Sequence, residues 1–546
     1  MPPRPAHPFG ALPLRLGAGA LLGALLLGPL AQAQSSAANP AQTPVLIEVS
    51  SFEVKGNTLL PAALIDSTLA PFKGRRSLEE LQAAATAVQR LYVSEGYGAV
   101  LAVLPPQTPR DGRISIQVVE GKLARLQVDG AQRTPRAQVL ASLPALVPGR
   151  TPRLRDLDRQ LQMVNDNAAR HTEVLLKPGE RSGEVDAAIS ITESPVQRWS
   201  LELDNSGTPA TGRMRVGLGW RHADLTGSDD LLSLQALTSV QKPDQVKVLS
   251  AGYRRPWYGG STMLEVFGSY SDVDGGITPT VVGNLQFNGR GRMIGVRAAR
   301  LLPRWGEVDQ RLTLGLDQRA YLNQCDISGL PAGACGAAGE SVTVQPLVLE
   351  YAARAAGDTS WALSLSLLRN LALGGSRSSA ADFEAVRPGA RRHYAALRLN
   401  VSVSQTVLEE WSLLGRVAAQ WTPDALVPGE QFGLGGANLG RGYEEREISG
   451  DRGVFAALEF TSPAIRAIPL PDFRLTAFAD GGSVSSVAGA QCLPGQSECQ
   501  LASVGLAARL GDARTQMQLS AGQALRAGAR TAQDKLRLHF TLSHQF

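Results

Sequence analysis

"KLRLHFTLSHQF", Lys535–Phe546, alternates almost without a break. Leu536, Leu538, Phe540, Leu542 and Phe546 share one parity, whereas Lys535, Arg537, His539, Thr541, Ser543 and Gln545 share the other. Side chains of a strand point to opposite faces in turn, so this stretch has one apolar and one wet face. Taken alone it reads equally well as a strand of a soluble sheet with Leu and Phe in the core, or as a membrane strand with Leu536 to Phe546 on lipid and Lys535 to Gln545 on a polar lumen.

The segments upstream separate the two readings. From Arg198 onward the same dyad recurs in "SLELD", "LLSLQAL", "RLTLGLD", "LSLSLL", "LRLNVSVS" and "QMQLS", where Leu or Val alternates with a polar residue. A transmembrane barrel with a polar interior requires that pattern. Counted from Trp199, alternate connections are brief: "TGSDD", "YGGST", "PRWGE", "GDTS", "LEEW", "PLPD" and "DART". The others are mostly longer, including "CDISGLPAGACGAAGE", "LGGSRSSAADFEAVRPGAR" and the segment Ala425–Gly453. Short periplasmic turns and long outer loops distinguish an outer-membrane barrel from a sandwich. The spacing predicts sixteen strands over residues 196–546, with both chain ends of the barrel on the short-turn side. No stretch after the N-terminal region has the roughly 18 consecutive apolar residues of a spanning helix, so strands must do the crossing.

The first 33 residues carry Arg4 and Arg15, an apolar run Leu16–Leu30 and the small-residue site Ala31-Gln32-Ala33. This is the build of a secretory signal peptide. A polar spacer, 34–45, follows, and the absence of a cysteine at the cleavage site argues against a lipid anchor. Composition agrees with a barrel: 43% hydrophobic residues, 57 Gly and a net charge of only +5. No basic cluster interleaved with aromatics points to nucleic acid. The four cysteines form two close pairs, Cys325 with Cys335 and Cys492 with Cys499, which in an exported chain read as two local disulfides in outer loops. A zinc site is the alternative, although neither spacing is of the usual ligand kind and the six His are scattered.

Between the spacer and the barrel, strand and helix periods follow each other twice in the order strand, helix, helix, strand, strand. "VLIEVSSFEVKGNTLL" opens the first unit, 46–120, and its second helix begins with a Ser77/Glu80 capping box and carries Leu78, Leu81, Ala85, Val88 and Leu91 on one face. The second unit, 121–195, runs from "ARLQVDGA" through two helices to "TEVLLKPG" and "GEVDAAISITES". Neither unit holds a nucleophile elbow, a zincin motif or a phosphate loop, and His7, His171, His222, His393, His539 and His544 have no matching nucleophile. The chain is read as a non-enzyme without catalytic, cofactor-binding or metal-ligating residues.

The whole from about Val45 to Phe546 resembles the transporters of two-partner secretion, the haemolysin activator and filamentous haemagglutinin transporter family in the superfamily of outer-membrane assembly factors. The resemblance rests on "FEVKGNTLLP", "VVEGKLARLQVDG", "DNSGTPATGRMRVG", "GLGGANLGRGYEEREISGDRG" and "LTAFADGG". It implies two periplasmic POTRA domains before the barrel, and a sixth outer loop that folds into the lumen with Arg441, Gly442 and Tyr443 at its tip. It further implies a barrel-wall motif of Phe478, Asp480 and Gly481, with Arg441 paired to Asp480. Gly440 departs from the family, which has a β-branched residue before the Arg. The short spacer leaves no room for the pore-plugging helix of some members, which implies a more open resting channel.

The implied function is export of a large β-helical exoprotein with an N-terminal secretion domain, captured unfolded by the POTRA units and folded outside, with activation of the cargo left open. Strand addition at an exposed edge such as Thr172–Gly179 is the physical route for capture. The remaining implied partners are outer-membrane lipids and the barrel assembly machinery, which would read Phe546 as the C-terminal signal; no nucleic acid is involved, and the pore is monomeric. The alternative is a factor that inserts other barrel proteins, but relatives of that kind carry three or more POTRA units.

Overall fold

The computed structural model describes residues 46–546 except 281–282, 329, 332–333 and 467–469. The signal peptide, the spacer and the expected lack of a plug helix lie outside the described residues.

Ser77 starts the long helix of the first module, Leu78–Ser94: its hydroxyl accepts from Glu80 N at 3.2 Å while the Glu80 carboxylate accepts from Ser77 N at 2.8 Å. The helix lays Ala84, Ala85, Val88 and Tyr92 on a sheet face made by Val100, Ala102, Ile116 and Val118. Leu78 does not join that face and is 56% exposed, because the first helical residue precedes the turn that meets the sheet. The opening segment, read as one strand, is two. Ile47–Val49 pairs with the short strand Gly74–Arg76, whereas Ser51–Lys55 runs parallel to Arg113–Glu120, itself antiparallel to Val100–Val103. The break falls where Ser50 N donates to Gly112 O at 2.8 Å instead of continuing a ladder.

Glu120 closes this module. Its carboxylate, 8% exposed as a residue, accepts from Thr58 N at 2.7 Å, Leu59 N at 3.0 Å and the Tyr92 hydroxyl at 3.0 Å. Burial, and then the neighbouring carboxylate, push the Tyr92 phenol above its usual range. Glu120→Ala strands these buried donors and is expected to cost about 3 kcal/mol. In hydrogen exchange of the full chain, protection of the helix Leu78–Ser94 should fall about a hundredfold. Unchanged exchange would show that the carboxylate carries no weight.

The second module repeats the plan with the sheet order Lys122–Asp129, Glu184–Glu193, Arg170–Pro178, the last being an edge strand. Helices Arg136–Ala141 and Leu154–Asn165 cover it over Leu123, Val139, Leu157, Val164 and Ile189. The modules meet where the long helix of the first one ends: Leu154 N donates to Gly96 O at 2.7 Å, Arg153 Nε to Glu95 O at 3.3 Å, and the Arg155 guanidinium to Ser94 O. Cations at a helix C-terminus complement its partial negative charge.

The rest of the described chain is a closed antiparallel barrel from Gln197–Asp204 to Leu536–Gln545. It has sixteen strands, since Val342–Val344 and Pro346–Ala355 both pair with Val308–Ile327 and are one strand interrupted at Gln345. Leu218, Leu234, Leu249, Leu264, Ile294, Leu312 and Leu365 are exposed on the outer face, as a lipid-facing wall requires. In the terminal strand Leu536 and Leu538 face outward, 60% and 54% exposed, while His539 is buried inside. Phe546 is 69% exposed, and its amide donates to Trp199 O at 3.0 Å. Closure of last strand on first uses five residue pairs, Thr541 with Asp204 to Gln545 with Ser200. The Asn205 side chain extends the seam, donating to Leu538 O at 2.8 Å and accepting from Phe540 N at 2.8 Å. The connection read as the four-residue turn "PLPD" is longer, because strand Arg452–Thr461 ends well before Arg474–Ser485 begins.

Candidate functional site

The sixth outer loop joins Trp411–Trp421 to Arg452–Thr461 and turns inward instead of standing over the barrel. Gly440 sits at φ +135°, a conformation that a β-branched side chain does not tolerate, so the departure from the family pattern matches the local backbone. Arg441, 3% exposed, is thereby aimed at the wall. Its Nε donates to Asp480 Oδ2 at 2.9 Å, its Nη2 to Oδ1 at 2.6 Å and its backbone N to Oδ2 at 3.0 Å. The guanidinium also lies 3.6 Å from the centroid of the Phe478 ring. A planar fork that fills a carboxylate and stacks on an aromatic is a task for Arg, not Lys.

Gly442 is needed for a reason other than turn geometry. A Cβ there would lie 2.7 Å from the Ser503 side chain and 2.9 Å from Ala524 N, so the tip can press against the wall only without a side chain. Tyr443 is fully buried, with its hydroxyl 2.8 Å from Ala502 O and 2.9 Å from Arg526 O. On the wall, Phe478 and Asp480 point inward from Arg474–Ser485, but a Cβ on Gly481 would meet only Leu501 O, at 3.9 Å. The tight position is its neighbour Gly482, where a Cβ would be 2.6 Å from Val454 O.

Several residues of this site escaped the sequence reading. Glu459 lies 3.2 Å from Arg441 Nη2 and is also held by Arg416 at 3.0 Å. His539 Nε2 lies 2.9 Å from Arg441 O. A second anchor holds the loop's shoulder to the strands Val308–Ile327 and Ala395–Val407: the Glu430 carboxylate accepts from Arg319 Nη1 at 2.9 Å, Arg398 Nη2 at 3.2 Å and the Tyr321 hydroxyl at 2.8 Å. Arg319 in turn shares Asp317 with Arg297. A third carboxylate, Asp451, ties three outer loops together by accepting from Arg387 Nη2 at 2.8 Å, Leu426 N at 2.9 Å and Val487 N at 2.7 Å. Beside it Val342, Val344, Phe383, Tyr394, Leu426 and Val427 form a small apolar core at the outer end. The available signal was an ionisable residue in mid-strand, as in "LTLGLDQRAYL" or "FAALEFTS", where an exterior position would be costly.

The opposite end of the lumen is joined to the second module. Arg170, 3% exposed as a side chain, donates from Nη2 to Asp229 Oδ2 at 2.9 Å and to Ser142 Oγ at 3.1 Å. Asp229, in the turn between the second and third strands, also accepts from the Tyr258 hydroxyl at 2.7 Å. Burial pushes the Asp229 carboxyl up despite the pull of Arg170 and Tyr258, and pushes the Tyr258 phenol up as well. Arg254 pairs with Asp166 at 2.8 Å and Arg304 with Asp158 at 3.0 Å, adding two exposed ties. Between this junction and the sixth loop lies a cavity of about 590 Å³, with Gln162, Met163 and Asp166 of the second module below and Asn438 and Leu439 of the loop above. The disulfides Cys325–Cys335 and Cys492–Cys499 each tie the outer end of a strand to its loop rather than lying wholly in loops, and Cys499 packs in the apolar cluster that holds Tyr443.

A closed sixteen-stranded barrel with a lipid-facing exterior, an inward-folded loop and two α/β modules at one mouth defines an outer-membrane protein with periplasmic POTRA domains. The chain belongs to the haemolysin secretion/activation protein family ShlB/FhaC/HecB, whose model matches residues 183–510, and a POTRA domain of the ShlB type matches residues 47–121. It is thus an outer-membrane secretion pore. Among relatives, the outer membrane transporter CdiB of Escherichia coli is 25% identical over 447 residues, 80% of this chain and 73% of the relative. The heme/hemopexin transporter protein HuxB of Haemophilus influenzae is 25% identical over 398 residues, 70% of this chain and 66% of the relative. The structure of CdiB from Escherichia coli superimposes with a TM-score of 0.79 at 21% identity, covering 95% of this chain and 93% of that one. BamA from Haemophilus ducreyi, lacking POTRA domains 1–3, does so at 0.51 with 15% identity, covering 91% and 100%.

Proposed function

We propose that this chain takes an unfolded partner exoprotein from the periplasm, presents it to the barrel mouth on its second POTRA domain, and passes it through the lumen to fold outside. The supporting observation is the cavity of about 590 Å³ bounded by the second module on one side and the tip loop on the other. The strand Arg170–Pro178 is an edge whose main-chain groups at Thr172 are taken by the Asn165 side chain, so its free side offers main-chain hydrogen bonds from Val174 onward, and Leu175, 58% exposed, offers an apolar contact. A large β-helical cargo suits this route, because an extended N-terminal segment can add a strand and folding outside then draws the rest across. Arg441, Gly442 and Tyr443 act as the seat of the tip on Phe478 and Asp480, the Cys325–Cys335 and Cys492–Cys499 disulfides restrain outer loops, and the exposed Phe546 is the signal read by the barrel assembly machinery. The working unit is one barrel.

The test is release of a partner exoprotein, sought first in the reading frames beside the one for this chain. A deletion strain should release none, and a photoreactive residue at position 175 should crosslink the cargo's N-terminal region in a complemented strain. Continued release from the deletion strain would sink the reading. Intact release with a general fall in other outer-membrane barrels would favour an assembly factor instead.

A further inference from the structure

The lipid-facing wall has a concave stretch of about 580 Å³ on its early strands. It arises from side-chain size along two cross-strand rows. In one, Trp220 and Leu234 are followed by Ala251 and Gly268; in the next, Ala236 separates Leu218 from Leu249 and Tyr270. The small residues form a floor between walls of Trp199, Trp220, Leu249 and Tyr270.

Just beyond this groove, toward the outer loops, the same face turns basic. Lys247 is opposite Asp272, which is opposite Arg290, and Tyr270 is opposite Arg292. Arg290 Nε lies 3.3 Å from Asp272 Oδ2, the Tyr270 hydroxyl donates to the same oxygen at 3.0 Å, and the Arg292 guanidinium lies 5.9 Å from the Tyr270 ring centroid. Asp274 stands one outward position farther out. On the strand that carries the arginines, the outward residues toward the periplasm are Ile294 and Val296, 57% and 50% exposed. This sets Arg292 and Arg290 at the outer edge of the apolar band, the depth of lipid phosphates, where a cation on the lipid face is cheap.

We propose that this face binds the phosphorylated glycolipid of the outer leaflet, lipid A, with its phosphates on Lys247, Arg290 and Arg292 and an acyl chain in the groove below. An apolar groove alone takes any acyl chain. The three cations above it, in excess over Asp272 and Asp274, select one that hangs from a phosphate, which guanidinium groups grip with paired hydrogen bonds.

The full-length protein, purified in detergent, is incubated with lipid A, with lipid A stripped of its phosphates, or with phosphatidylglycerol, and retained lipid is quantified by native mass spectrometry. Lipid A should be retained at least about tenfold over both others, and the variant K247Q/R290Q/R292Q should lose about a hundredfold of that retention. Gly268→Leu, which fills the floor, should weaken lipid A severalfold with the cations intact. Heat-dependent gel mobility confirms that each variant is a folded barrel. Equal retention of the dephosphorylated form, equal retention of phosphatidylglycerol, or less than about a tenfold loss in the triple variant overturns the proposal.

Discussion

Arg441→Ala is expected to lower exoprotein release by about tenfold or more while the barrel still reaches the outer membrane. The physical reason is what it leaves behind. Asp480, 1% exposed as a side chain, loses the cation that pairs with it, and its neighbour Glu459 adds a like charge that Arg416 is left to balance. Removing one member of a buried pair costs about 3–5 kcal/mol because the other is left uncompensated. Asp480→Ala should be milder, since Arg441 keeps Glu459 at 3.2 Å. The double variant should be better than the sum of the single losses, because two residues in contact are not independent. Arg441→Lys should fall between, as an ammonium cannot fill both carboxylate oxygens and stack on Phe478 at once. Release is read by immunoblot of the culture medium, and barrel assembly by heat-dependent mobility. Wild-type release from Arg441→Ala would refute the role given to the tip.

Glu430→Gln is expected to change the pore rather than its assembly. The carboxylate is fully buried and faces Arg319 and Arg398, so its neutralisation leaves the guanidinium groups of that wall in excess. The shoulder of the sixth loop then loses charge-assisted bonds to strands of the wall other than the one that carries Asp480. In planar bilayers the variant should conduct more than the wild type, and its reversal potential in a salt gradient should move toward anion preference, since the lumen gains a net positive charge. Unaltered conductance and selectivity would mean that the shoulder does not border the conducting path. Comparison with Arg441→Ala separates the two anchors, because only the tip variant disturbs the wall beside the terminal strand.

The barrel was legible because its signal is local. Alternation every second residue and the contrast of short and long connections survive without knowledge of partners, which is why "LRLNVSVS" and the terminal strand could be placed. Strand ends were harder: Thr262–Thr280, Gly283–Trp305 and Val308–Ile327 extend far past the other strands, and nothing in their alternation marks where lipid stops. The tip contact was legible only through a resemblance, since Arg441 and Asp480 are distant in sequence and meet because a loop reverses into the lumen. Glu430, Asp451 and Arg170 were missed for the same reason. Each looks like an ordinary charge until its partner from another loop or turn is brought to it. Gly442 shows a further limit, since a need for close approach cannot be told from a need for unusual backbone angles before the wall is in place.

The placement of the aromatic rings also makes the protein its own optical probe. All seven Trp belong to the barrel, and six of them, Trp199, Trp220, Trp257, Trp305, Trp361 and Trp411, sit near the short-turn rim, with Trp421 alone toward the outer loops. Indole emission therefore shifts to the blue when that rim enters hydrocarbon, and the two POTRA domains add nothing to it. Insertion of the wall can be timed in the intact chain without a label, and Trp421→Phe would show how much of the signal comes from the opposite side of the bilayer.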